Sequence, residues 1–525
     1  MRYILSIFSL FLFSLQLSAQ QETTALVSDS VFFYRQASAN TAFLLENAAA
    51  ITLSNTNRAA YASLIGNYRS GHLRGPQEAE YQGSAAFNTA GLQTLGRFKV
   101  SGYFTYAKTW QDSLAMAAKD LDDGTTIYYQ GAGKAGKYQR QKYELGGILT
   151  YRLSRENVFL SAGIDYLFNN MTRSVDPRPA VNTFSIRINP GITYKRKNQA
   201  FGIYYRGGYG DEYVRNTYRQ AAFSDQGITD PIYPDRLNIF MEGYGLIDLN
   251  YKSNSKSSMD RVLAFSGIQG SHVFAGKKWE IKQNLSYTVD YQRTRTLTSA
   301  ADPDTYTLGE YQLEALTYSG LFNINTAGAN QQFVLTAASK NGDDFNHGIG
   351  WSNYLYKERS IGLSYLRLAT TQKNFRPEYG IGLSYTKSQK HDYVTEHHFY
   401  YSKLDVALMA TAYLQNHNGN KLSLSLSPAL SKSLESKLNN VPSTQINYFT
   451  QQVVWSEQYY NAIDIGSVTL GLNYISKNMI SLFPVRISAS GQYLIALNTP
   501  HTDYPLSHYA AKNRLLAQIA FGILL

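Results

Sequence analysis

The densest grouping of side chains with acid, base or metal-binding chemistry is His391, Asp392, Glu396, His397 and His398. An imidazole beside carboxylates activates water or holds a divalent metal when such groups converge on one point. The local pattern reads as a loop entering a strand, where neighbouring side chains point to opposite faces, so His397 and His398 do not ligate together. They read as solvated loop residues, with hydrolysis as the least favoured alternative. Asp120, Asp122 and Asp123 before Gly124 begin like a calcium loop but lack its later glutamate, which leaves turn chemistry. Gly207, Gly208 and Gly210 open no helix and so form no phosphate loop. No catalytic residue, metal or cofactor is expected, and no nucleic-acid module is present.

A second set carries charge without obvious catalysis. Lys99, Arg140, Lys142, Arg187, Arg206, Lys282 and Arg486, against Glu144, Asp165 and Asp290, occupy polar rows of segments whose other row is apolar. Gathered around an aqueous lumen, such a basic lining concentrates anions and repels cations. The competing reading is that these charges pair across neighbouring strands and simply fill the interior. The net charge of +11 fits either, as well as contact with anionic lipid headgroups.

The elements that position these rows are strands. Leu515, Ala517, Ile519, Phe521, Ile523 and Leu525 alternate to the final residue, and a strand rises about 3.3 Å per residue with alternating faces. Leu422, Leu424, Leu426 and Leu430 oppose Ser423, Ser425 and Ser427, and Ile281, Leu285, Tyr287, Val289 and Tyr291 oppose Lys282, Asn284, Ser286, Thr288 and Asp290. In Tyr143–Leu153, Tyr143 and Tyr151 bracket an apolar middle and stand on the order of 20 Å apart along the normal of a tilted strand, the separation of aromatic girdles. The 43 Tyr and 25 Phe suit strands and membrane interfaces. A soluble sandwich array is also tyrosine-rich, but no period marks tandem domains. The reading is an all-β, closed antiparallel transmembrane barrel of about eighteen strands, between sixteen and twenty, with short periplasmic turns and long extracellular loops.

Along the chain, residues 1–20 read as a secretory signal: Met1, Arg2 and Tyr3, the apolar run Ile4–Leu17, then Ser18 and Ala19 before a cut near Ala19 or Gln20. With no cysteine, lipoprotein anchoring and disulfides are excluded. Residues 21–60, with the weakly helical Ala37–Ala50, read as a periplasmic lead-in or a small hatch, and 61–525 as the barrel. Tyr61–Arg69 and Glu80–Asn88 form the first hairpin, Thr89-Ala90-Gly91 turns into Arg97–Ala107, and Ser154–Glu156 turns after Tyr138–Leu153. Lys108–Lys137, Asn170–Ala180, Val214–Ser258 and Ser431–Ser456 read as long loops, with a β-excursion at Leu237–Tyr251.

With this pattern the chain resembles Gram-negative outer-membrane β-barrels, and most of all the large families known only as domains of unknown function. The resemblance covers nearly the whole mature chain. It implies location in the outer membrane, contact with its lipid, and delivery by the outer-membrane assembly machinery. Such barrels usually end in Phe or Trp; this chain ends in Leu525, with Phe521 nearby. The function expected is a pore or transport route for small polar solutes, with anions among the candidates. The alternative is a scaffold whose long loops engage a surface or periplasmic protein partner.

Overall fold

The structure, a computed structural model, describes residues 32–54, 56–119, 126–153, 157–224, 231–248, 258–299, 302–370, 374–439, 446–477, 479–480, 483–506, 510 and 512–525. The signal at 1–20, the aspartates at 120, 122 and 123, and the turn at 154–156 lie outside the described residues. Two helices come first, α1 (Arg35–Leu45) and α2 (Ala48–Leu53). The strands follow as β1 (Arg58–Gly71), β2 (Tyr81–Leu95), β3 (Phe98–Leu114), β4 (Tyr128–Gly131), β5 (Gly136–Arg152), β6 (Val158–Arg173) and β7 (Arg178–Arg196). Next are β8 (Gln199–Thr217), β9 (Ile239–Glu242), β10 (Ile247–Asp248), β11 (Ser258–Ala275), β12 (Trp279–Ser299), β13 (Asp302–Asn325) and β14 (Ala329–Asn346). The last seven are β15 (Tyr354–Ala369), β16 (Phe375–Asp392), β17 (His397–Gln415), β18 (Lys421–Leu438), β19 (Ile465–Ser476), β20 (Val485–Ala496) and β21 (Asn513–Leu524).

All but β4, β9 and β10 form one 18-stranded sheet in which each strand pairs antiparallel with its neighbours along the chain. It closes where β21 meets β1: Leu64 stands opposite Phe521, and Ala60 and Leu525 exchange backbone hydrogen bonds of 3.1 and 2.8 Å. A closed sheet leaves no unpaired edge, the condition for strands to cross hydrocarbon. The outer face carries the apolar rows: Leu64, Leu145, Leu149, Ile188, Ile203, Leu285, Leu424, Leu470 and Ile519 are all exposed. Among the described residues, no helix is long and apolar enough to cross a membrane.

Several boundaries differ from the sequence expectation. Thr89-Ala90-Gly91 is not a turn; it lies inside β2, paired with Tyr61, Ala62 and Ala60 of β1, and the chain reverses at Gly96 and Arg97 instead. Small residues look like turn formers locally, yet a strand accepts them where a neighbour packs close. A Cβ on Gly91 would stand 2.8 Å from that of Ala60. The loop expected at Asn170–Ala180 shrinks to the few residues between β6 and β7, and much of Ser431–Ser456 is strand β18 or helix.

The interior is filled from both ends. At the rim where β1 begins and β21 ends, α1 and α2 lie inside the wall. At the other, β4, β9 and β10 form a separate 3-stranded sheet, to which the β-excursion contributes β9 and β10. That sheet roofs an apolar core in which Tyr128, Phe240, Met241 and Tyr244 pack on Tyr138, Tyr311, Tyr354 and Phe399 of the wall.

Candidate functional site

The helical pair is too short to hold its shape alone, so its conformation depends on docking. Ala48, Ala49, Ala50 and Ile51 are buried, the alanines against Ala200, Tyr204 and Val273 of the wall. Asn47 caps α2 by accepting from the Ala50 N–H at 3.1 Å, and its amide donates to Asn284 Oδ1 (2.5 Å) and Ser271 Oγ (3.3 Å) of the wall. Lys99 Nζ donates to the Ile51 and Ser54 carbonyls at 3.0 and 2.6 Å, a cation at the helix C-terminus where the backbone dipole favours it. Lys282 Nζ reaches Asn40 Oδ1 at 2.8 Å, and Gln36 donates to the Asn330 and Leu366 carbonyls.

The roof is fixed by buried polar clasps. Arg261, 2% exposed, pairs with Glu212 at 3.2 Å and donates to Thr126 Oγ1 (3.1 Å) and the Tyr128 carbonyl (2.5 Å) of the roof. Tyr128 in turn donates to Asp344 at 2.6 Å. Here the His391–His398 grouping divides: Glu396 is exposed as expected, while Asp392 and His397 are not solvated. Asp392 is fully buried and accepts from the Tyr244 and Leu246 N–H groups at 2.8 and 3.1 Å. His397 is also fully buried, between Thr395 and Thr450. The roof hairpin passes so close that a Cβ on Gly243 would stand 2.6 Å from Asp392, and one on Gly245 2.3 Å from His397; Gly243 also holds φ +134°. His398 turns away to meet His391 across the strand pair, Nδ1 to Nδ1 at 3.0 Å. Glu396 closes the turn at φ +54°. Among the described residues, no three His, Asp or Glu side chains are placed to hold a metal.

Between the helices and the wall lies a chamber of about 510 Å³, lined by Glu46, Asn88, Tyr103, Ser161, Asp165, Asn189 and Arg206 among others. It adjoins a second space of about 310 Å³, which shares Ala42, Leu45, Tyr61 and Asn88 with it and reaches Arg486. Tyr103 and Asn189 donate to the two oxygens of Asp165 at 3.1 and 2.8 Å.

The strand registers put all ten charged positions singled out in the sequence on the inner face, opposite in parity to the exposed leucine and isoleucine rows. They do not form one basic strip. Only Asp165 and Arg206 line the larger chamber. Lys99 and Lys282 hold the helices. Arg140 lies under the roof, bonded to Gln111 and the Lys119 carbonyl. Lys142 pairs with Glu144 at 3.0 Å, and Arg187 stacks over Phe265 at 4.0 Å, beside Asp290 in register. Arg486 donates to Asn473. Sequence reasoning missed Glu46, Asn88, Tyr103, Ser161 and Asn189. Only Glu46 left a signal, as the one carboxylate between Arg35 and Leu53.

Glu46 follows α1, is exposed, and lines the chamber. Partial desolvation raises its carboxyl above the ordinary range, and the charge of Asp165 adds to the rise. The docked helices therefore favour the proton, and this contribution is lost as pH rises through the raised value. A spin label on Ala42→Cys, the single thiol in an otherwise cysteine-free chain, should gain mobility as pH climbs past the usual carboxylate range. Glu46→Gln should remove that pH response; a label equally mobile at every pH would contradict the linkage.

The sequence matches the model of a family of unknown function, DUF6850, over residues 48–525. The chain belongs to that family. Among solved structures this DUF6850 chain is similar to BauA, the ferric preacinetobactin receptor of Acinetobacter baumannii. That match has 10% identity, covers 89% of this chain and 81% of that one, and has a TM-score of 0.36. It is similar to Acinetobacter baumannii OccAB3 at 11% identity, covering 89% and 99%, with a TM-score of 0.36. It is also similar to the copper transporter OprC at 7% identity, covering 89% and 81%, with a TM-score of 0.40. No curated protein matches the sequence.

Proposed function

We propose that the barrel is a gated transport route for small polar solutes through the outer membrane of a Gram-negative bacterium. In this reading residues 1–20 are the export signal, 21–60 a periplasmic hatch ending in α1 and α2, and 61–525 the barrel whose outer loops supply the lid. The observation that carries it is a polar chamber between the helical pair and the wall, in a lumen that also carries a roof, each of the two inserts held by a few specific contacts. A barrel of this strand number otherwise leaves an aqueous channel, and a chamber lined by amides, hydroxyls and both signs of charge suits solutes that shed water into fixed hydrogen bonds. The lining favours polar over strictly anionic solutes, because most of the basic side chains hold protein partners.

The test uses the absence of native cysteine. With Asn47→Cys and Ser271→Cys, oxidation should lock α2 to the wall in the full-length protein. Proteoliposomes should then admit glycine and glucose when the pair is reduced and exclude them when it is oxidised. Equal flux in the two states would rule out a moving hatch.

A further inference from the structure

The chamber holds two opposite charges that do not meet. Glu46 comes from the hatch and Arg206 from β8, and both line the same chamber. Among the described residues, neither makes a hydrogen bond or ion pair with another protein group. Glu46 is exposed and Arg206 half-buried along this chamber, so both charges stand open to a solute that enters it. Around Glu46 the wall adds acceptors in excess. Asp165 already receives Tyr103 and Asn189, and the carbonyl oxygens of Asn88 and Asn189 are buried without a hydrogen bond. Ser161, 8% exposed, turns an equally unpartnered hydroxyl into the same chamber.

Resting on the transport reading above, we infer that the chamber is a binding site for a zwitterionic solute, a short peptide with free termini. Its ammonium sits among Glu46, Asp165 and the two asparagine carbonyls, and its carboxylate meets Arg206. An ammonium has donors only, which matches the acceptor-rich wall, and a guanidinium offers a planar fork suited to a carboxylate. Because Glu46 belongs to the hatch and Arg206 to the barrel, one bound solute bridges the moving part and the fixed part. Occupancy of the chamber is thereby coupled to the position of the hatch.

Three probes separate the two charges: triglycine, N-acetyl-triglycine, which lacks the ammonium, and triglycine amide, which lacks the carboxylate. Calorimetry on the detergent-purified full-length protein should show triglycine binding, and each blocked form binding about tenfold or more weakly, since charge-assisted contacts are lost. Glu46→Gln should abolish the preference for the free amine while keeping that for the free carboxylate, and Arg206→Gln should do the reverse. Equal binding of all three probes to the unmodified protein, or no binding of triglycine, would overturn the assignment even if neither variant folds. If solutes pass but triglycine does not bind, the solute class is wrong and the route stands. If triglycine binds to a barrel that conducts nothing with both closures released, the route is wrong and the site stands.

Discussion

A variant lacking residues 35–53 and also carrying Arg261→Ala should conduct ions in planar bilayers like an open porin, on the order of tenfold or more above the unmodified protein. Either change alone should do little. The two closures lie in series along one lumen, so the narrower of them sets the resistance. Deleting α1 and α2 removes the alanine face seated on Tyr204 and Val273 and the contacts of Asn47, Lys99 and Lys282. The barrel does not need that segment to close, since its seam is the pairing of β1 with β21. The roof would still block the other mouth until its own clasp is cut. Large conductance from either single variant would mean that only one closure exists, and none from the double variant would end the proposal of a route.

Arg261→Ala should lower the stability of the roofed state by about 3–5 kcal/mol. It removes the cation facing a buried carboxylate: Glu212 is 2% exposed and also accepts from the Thr183 hydroxyl. The same change deletes two hydrogen bonds to the roof, at Thr126 and Tyr128. Hydrogen exchange should lose protection in β4, β9 and β10 while the barrel strands keep theirs. Replacing both members, Arg261→Met with Glu212→Leu, should restore much of the barrel's thermal stability but not the roof's protection, because the buried charge is gone while the clasp remains cut. Uniform loss of protection across the barrel would instead show that the pair supports the wall.

Alternation made the barrel legible, because it is a property of each strand alone. Leu422, Leu424 and Leu426 need an apolar surface on one side and Ser423 and Ser425 tolerate water on the other, whatever lies elsewhere in the chain. The same parity put Asp165, Arg187 and Arg206 on the inner face without any knowledge of neighbours. Even the apolar row of the last strand foretold closure, since such a row cannot face water. Where small residues weaken the alternation, as at Thr89, Ala90 and Gly91, the local reading produced a turn that pairing with β1 removes.

What fills the cylinder depends on contacts between residues hundreds of positions apart, and no local pattern encodes those. Asn47 meets Ser271 and Asn284, and Asp392 meets the Tyr244 and Leu246 amides. As loop residues, Asp392 and His397 looked solvated; only the roof hairpin, brought close by Gly243 and Gly245, buries them. The lumen charges looked like a basic lining because their faces were known and their partners were not. By itself, then, the sequence determined a lipid-facing barrel of sixteen to twenty strands and the direction of its side chains, since these follow from period and sign. The tertiary structure decided that the lumen carries a helical pair and a small roof sheet and that Glu46 and Arg206 are left facing one chamber, since docking and pairing are settled only when distant segments meet.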